Sequence, residues 1–276
     1  MDKVLVFIDL DNIYRGLVEH FGIEPIEGEF NIFNELRRIQ KEKDNEVYEI
    51  YAFGDFDKLG SSSFKTKLAM EGIQTIDVFS TNGSINRKNA SDIQLSIDAV
   101  DCAFTIPEIK KYLFVSADSD MISIINYLKG SKHRKRVALY VLGKQANVSV
   151  LKNFPNDGFA LLEDIIKLKE PIDISEEVIV RNLELFVHRI LITEQYNLKN
   201  GRKRIYYTLD GYRWNEMRFL KLEGSRLCGK HIDQIITYMK KQNIIDIIYN
   251  SEIGLQEIVL NREHELVKKV LEKFID

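Results

Sequence analysis

The sequence predicts an α/β protein: a doubly wound parallel sheet in the first part of the chain, then a smaller α+β domain. Three observations predict it. Short apolar runs alternate with amphipathic stretches from Val4 to Leu162, the grammar of a parallel sheet with helices on both faces. The first of these runs, Val4 to Ile8, is apolar at consecutive positions, which marks a strand buried on both faces. Near Lys169-Glu170-Pro171 the alternation stops, because a proline disfavours helix in the residue before it.

The elements follow in order. The first strand covers 4–8, with a helix over 13–21 and a second over 32–43, where Ile32, Phe33, Leu36 and Ile39 share a face. Strand two is 47–53, followed by a helix over 61–71, with Phe64, Leu68 and Ala69 inward. Strand three is 74–79, and a helix opens near Ser91. Strand four is 112–115 with its helix at 121–129, and strand five is 137–142. A helix at 147–154 leads to a last short run, 159–162.

Beyond the break, a helix is predicted over 176–193, and Asn200-Gly201 reads as a turn. An amphipathic helix follows at 231–241, with Ile232, Ile235, Ile236 and Met239 at helical spacing. Runs at 244–249 and 255–260 flank Asn250-Ser251-Glu252-Ile253-Gly254, a hairpin signal, and 262–274 closes as a helix. Helix, hairpin, helix fits a winged helix. The predicted domains are 1–168 and 176–276.

The 276 residues are 45% apolar, enough for a real core, and carry a net charge of −3. A polyanion surface must therefore be local. No run reaches the apolar length of a membrane span, and the N-terminus enters a strand with no signal-peptide core. Cys102 and Cys228 are far apart and make no metal-ligand pair. A reducing cytoplasm is the expected compartment.

Carboxylates stand just past the strands. Asp9, Asp11 and Asn12 follow the first, and Asp118 and Asp120 follow the fourth. Asp92 falls in the first turn of a helix, with Asp98 six residues on. In a doubly wound sheet, ligands lie beyond the carboxyl ends of the strands. Gathered carboxylates repel one another unless a hard cation neutralises them. Metal-assisted chemistry on a phosphate gives such a cluster a purpose. Asp11 also reads as a helix cap, as does Ser119. Asp98 is either an inward ligand or a buried support of the rim, and Asn12 suits a residue that fixes a ligand carboxylate.

Phe7-Ile8-Asp9-Leu10-Asp11-Asn12, Lys88-Asn89-Ala90-Ser91-Asp92 with Asp98, and Ser116-Ala117-Asp118-Ser119-Asp120 together resemble the motifs of NYN domains, relatives of the PIN-type nucleases, in their bacterial branch. Ala117 stands where that family usually has glycine. The resemblance spans about residues 3–162. It implies a metal-dependent ribonuclease using one or two Mg²⁺ or Mn²⁺ ions, with Asp9, Asp92, Asp98 and Asp118 as metal ligands. It places Asp120, Asn12 and Lys88 in the catalytic set, with Ser116 in support; Asp11, read as a cap, is a further support.

Arg87, Lys88 and Lys144 lie on the carboxyl side of the sheet, placed to hold a phosphate. The run 132–136, the most basic in the chain, lies at the opposite end and reads as a solvated turn before a distal RNA contact. The segment 199–214 interleaves Lys199, Arg202, Lys203 and Arg204 with Tyr206, Tyr207, Tyr212 and Trp214. It reads equally as a single-strand RNA contact or as a hairpin whose rings face the core. Two other functions stay open. One is a haloacid-dehalogenase-like phosphatase with Asp9 as nucleophile, Asp11 as general acid, and Ser80 or Thr81 following. The other is a non-catalytic RNA-binding regulator. A homodimer, or a protein partner held by the C-terminal domain, is a further expectation.

Overall fold

The computed structural model describes residues 1–56, 59, 63–78, 90–116, 118, 120–222 and 224–275. The chain forms two compact units, Met1–Leu17 with Ile23–Lys169, and Val18–Gly22 with Glu170–Asp276.

The first unit runs β1 (Asp2–Asp9), α1 (Leu10–Phe21), β2 (Ile26–Glu27), β3 (Phe30–Asn31), α2 (Ile32–Glu42), β4 (Asn45–Gly54), α3 (Ser63–Met70) and β5 (Gln74–Asp77). It continues with α4 (Ala90–Thr105), β6 (Lys111–Val115), α5 (Met121–Lys129), β7 (Arg136–Val141), α6 (Val148–Leu151), β8 (Gly158–Leu161) and α7 (Leu162–Ile165). Six strands make one sheet in the order β5-β4-β1-β6-β7-β8, every pairing parallel. The chain builds outward from β1 to β5, then returns to β6 and builds the other way. β1 and β6 therefore flank the switch point, where their carboxyl ends open on the same side. The predicted strand 74–79 ends at Asp77, and its Phe79 lies outside the described residues. The small β2–β3 hairpin was not foreseen. It delivers Asn31, whose side chain accepts the N–H groups of Phe33 and Asn34 and caps α2.

Alternation along β1 assigns its side chains. Leu5 and Phe7 join Phe53, Tyr112 and Phe114 under α4 and α5, packed against Leu95, Ala99, Met121 and Ile125. The Phe7 ring lies 5.3–6.5 Å from those of Tyr51, Phe53, Tyr112 and Phe114. Each such pair contributes about 0.5–1.5 kcal/mol beyond the area it buries. Val4, Val6 and Ile8 are buried on the other face, where right-handed crossovers place α1, α2 and α3. Odd positions thus face α4, and Asp9 is the next odd position.

In the basic run at the amino end of β7, Lys132, Arg134 and Arg136 are exposed, as a solvated turn requires, but Lys135 is not. Lys135 is 2% exposed. Its Nζ donates to the carbonyls of Ile109 (2.7 Å) and Pro107 (3.4 Å) and sits 5.3 Å from the centre of the Tyr112 ring. Burial lowers its pKa. Arg136 pairs with Asp2, and Lys132 lies over the Phe104 ring.

The second unit runs α8 (Glu176–Arg181), α9 (Leu183–Lys199), β9 (Tyr207–Thr208), α10 (Leu209–Phe219), β10 (Lys221–Leu222), β11 (Ser225–Arg226), α11 (Gly229–Lys241), β12 (Ile245–Asn250), β13 (Leu255–Leu260) and α12 (Glu265–Ile275). The hairpin β12–β13 gains a third strand because β9 pairs antiparallel with β13. Helix, strand, helix, helix, strand, strand, with the short first strand closing on the last, is a winged-helix-like topology. Its core gathers Phe186, Ile190, Tyr212, Ile232, Ile235 and Ile258.

Two expectations change here. The helix predicted over 176–193 is two helices broken at Asn182, and the second continues to Lys199. The segment 199–214 is not a hairpin but a turn, β9 and the start of α10. Thr208 caps α10 by accepting the Gly211 N–H at 3.2 Å. Of its rings, Tyr207 and Tyr212 are core, packed edge to face.

Candidate metal centre

Register brings the first and third motifs together. Ile8 pairs with Val115, so Asp9 and Ser116 are the next residues of adjacent strands, both on the α4 face. Ser116 is fully buried, and Asp9 is 3% exposed. The Ser116 hydroxyl donates to Asp9 Oδ2 at 3.2 Å and accepts the Asp118 N–H at 3.1 Å. It therefore fixes the Asp9 carboxylate and the backbone of Asp118 at once. Asp118 Oδ1 in turn accepts the Asp120 N–H at 3.0 Å, which shapes the entry to α5. The Asn12 backbone N–H reaches Asp9 Oδ1 at 3.4 Å.

Asp92 comes to the same point from α4. It is 7% exposed, and its carboxyl is in hydrogen-bond contact with that of Asp9. Burial, then the Asp92 charge, push Asp9 well above the usual carboxylate range, against the pull of the Asn12 N–H. Burial raises Asp92 as well, and the charges of Asp118 and Asp120 add to it, while the contact with Asp9 opposes them. Two acids in contact in a buried place hold one proton between them. Four carboxylates thus share one field at the mouth of the sheet.

Asp98 is not part of this group. Six residues at 3.6 per turn put it about a third of a turn round the helix from Asp92 and about 9 Å further along. It accepts from Gln94 Nε2 at 2.8 Å, and burial and Asp101 raise its pKa. Asp11 has another task than capping. It lies inside α1, and its carboxylate accepts the Asp55 N–H at 3.1 and 3.2 Å, tying α1 to the end of β4. Lys144 is exposed in the turn after β7, on the carboxyl side of the sheet. The Gly143 N–H beside it is held by the Glu163 carboxylate at 2.9 and 3.1 Å. Arg87, Lys88, Ser80, Thr81, Ala117 and Ser119 lie outside the described residues. Arg202, Lys203 and Arg204 belong to the second unit.

Asp55 was missed. It stands one residue past β4, beside the end of β1, and is buried. The signal was available: Gly54-Asp55 after an apolar strand repeats the pattern of Asp9.

Among the described residues, no three acid, imidazole or thiol groups are already drawn to liganding distance of one point. The donor set nevertheless suits a divalent cation. Asp92 Oδ1 is buried and, among the described residues, takes no N–H or hydroxyl donor. The repulsion between Asp9 and Asp92 is relieved only by a proton or a cation, and hard oxygen donors select Mg²⁺, Mn²⁺ or Ca²⁺.

A crystal structure of a protein of unknown function from Vibrio parahaemolyticus is similar to the chain at 16% identity. It covers 59% of this chain and 94% of its own, with a TM-score of 0.44. No curated protein matches. The NYN domain matches residues 3–161, the whole of the sheet that carries the four carboxylates. On that match the chain belongs to the NYN domain family, a PIN-like nuclease family.

Proposed function

We propose that the chain is a metal-dependent ribonuclease that hydrolyses internal RNA phosphodiesters at the carboxyl ends of β1 and β6. The observation that carries this is the buried Asp9–Asp92 pair at the switch point, with Ser116 joining Asp9 to the backbone of Asp118. A structural role for such a pair would cost stability without return. Asp9, Asp92 and Asp118 hold the cation, one or two Mg²⁺ or Mn²⁺. Bound there, the cation offsets the carboxylate charge and polarises the phosphate.

The chain's own groups do the rest. Ser116 keeps Asp9 oriented. Asp11, through the Asp55 N–H, fixes where α1 leaves the sheet, and Asn12 lies in its first turns. Asp120, exposed at the mouth, takes the proton from the attacking water. Lys144, with Arg87 and Lys88, steadies the phosphate. Asp98 stands outside this set. The phosphatase reading needs Asp11 as a free general acid, and both its oxygens accept the Asp55 N–H instead.

The test is cleavage of labelled single-stranded RNA, with a phosphate monoester as control, in Mn²⁺. Wild type should cut the RNA and spare the monoester. Asp9→Asn, Asp92→Asn and Asp118→Asn should each lose most of the activity. An active Asp92→Asn, or a phosphorylated Asp9, would instead establish the phosphatase. RNA binding with no cleavage in any divalent metal would leave a regulator.

A further inference from the structure

We propose that the turn after α9 is a second nucleic-acid contact. It takes one unpaired base of single-stranded RNA on Tyr196 and the flanking phosphates on Lys199, Arg202, Lys203 and Arg204. It lies in the second unit and uses none of the carboxylates. It rests on the ribonuclease reading only in taking RNA as the polyanion.

The turn is fixed from beneath. α9 ends at Lys199, and Gly201, at φ +57°, reverses the chain. The Arg202 N–H donates to the Asn197 carbonyl at 3.1 Å, and Asn200 Nδ2 to the Tyr196 carbonyl at 2.7 Å. Asn197, itself 2% exposed, donates from Nδ2 to the carbonyls of Ile205 (3.1 Å) and Tyr206 (3.5 Å). A surface already ordered in this way gives up less entropy on binding.

Its cations take no carboxylate partner among the described residues. Arg189, Arg213 and Arg262 of the same unit pair with Glu216, Asp233 and Glu194. Lys199, Arg202, Lys203 and Arg204 make no ion pair among the described residues, and the first three are exposed. Four uncompensated cations within six residues stand out in a chain of net charge −3. A helix C-terminus favours cations in its last turn, which accounts for Lys199 but not for Lys203 or Arg204.

The ring selects the kind of polyanion. Tyr196 is 54% exposed, with the Arg202 guanidinium 4.9 Å from its centre. An exposed ring beside cations is a stacking platform for a base. Duplex RNA keeps its bases inside the helix, so single strands are favoured.

The experiment is anisotropy of a labelled oligouridylate with the full-length chain in EDTA, across a range of KCl, with duplex RNA as comparison. Arg202→Ala/Lys203→Ala/Arg204→Ala should reduce the slope of log affinity against log salt by about 2, at roughly 0.7 per phosphate released. Tyr196→Ala should weaken binding at fixed salt about tenfold, and Tyr196→Phe should restore most of it. Tyr196, Arg202 and Lys203 are exposed and Arg204 is half-buried, and melting curves verify that each variant folds. An unchanged slope in the triple variant, wild-type affinity in Tyr196→Ala, or equal affinity for the duplex would each overturn the proposal. Cleavage is not read, so failure of the catalytic reading leaves the result standing, and the reverse also holds.

Discussion

A buried carboxylate oxygen with no donor against it lowers stability, and among the described residues Asp92 Oδ1 is in that position beside Asp9. Removing charge there should therefore not harm the metal-free fold. Asp118→Asn, which takes one repelling charge off Asp92, should melt no lower than wild type in EDTA and should show a smaller upward shift in Mg²⁺ or Mn²⁺ by calorimetry. The pH dependence has a defined sign. Asp9 and Asp92 are raised above the ordinary value of 3.8 in the folded chain, so the folded state holds a proton that the unfolded state releases. Metal-free stability should then fall as pH rises from about 4 through the raised folded values. Melting temperature against pH in EDTA checks this, and Asp9→Asn should flatten the decline. Ser116 has the opposite role. Ser116→Ala strands the part-buried Asp118 N–H and releases the buried Asp9 carboxylate, so urea unfolding should show a loss of about 1–3 kcal/mol.

At the scale of elements, the parallel strands were legible because burial on both faces leaves an unbroken apolar run, as in β1 and β6. The carboxylates were legible for the same reason, since Asp9 and Asp118 interrupt such runs. What stayed hidden lacked any period. β9, β10 and β11 have two residues each and exist only through their partners. Asp98 was open in the sequence because spacing along a helix does not say which face the helix turns inward. Tyr207 and Tyr212 could not be told from surface rings until β9 was seen to pair with β13. The junction of β4 with α1 is also invisible in sequence. A Cβ on Gly54 would stand 2.8 Å from Leu59 Cδ1 and 2.9 Å from Asp11 Oδ1. Gly54→Ala should then displace Asp11 from the Asp55 N–H and cost about 1–3 kcal/mol by denaturant titration, with a reduced cation shift as the accompanying sign.

For the whole molecule, the two compact units divide the proposed work. On the proposals above, chemistry falls to the sheet, and the grip on a longer strand to the second unit. No helix among the described residues is long and apolar enough to cross a membrane. A chain ended at Lys169 retains every strand of the sheet and all four carboxylates. It should keep a divalent-cation melting shift while losing RNA affinity and part of its salt dependence. A shift that disappears in a folded truncation would assign cation binding elsewhere.

The contact between Ser116 and Asp9 spans 107 positions, and this sets an order in time during synthesis. Asp9 leaves the ribosome well before Ser116, and for a while it is an ordinary ionised side chain in water. Its hydroxyl partner emerges roughly 5–20 s later at usual elongation rates, after Asp92 and just before Asp118. A nascent chain therefore carries no assembled centre until Asp118 has followed Ser116 out and the sheet has closed around β1.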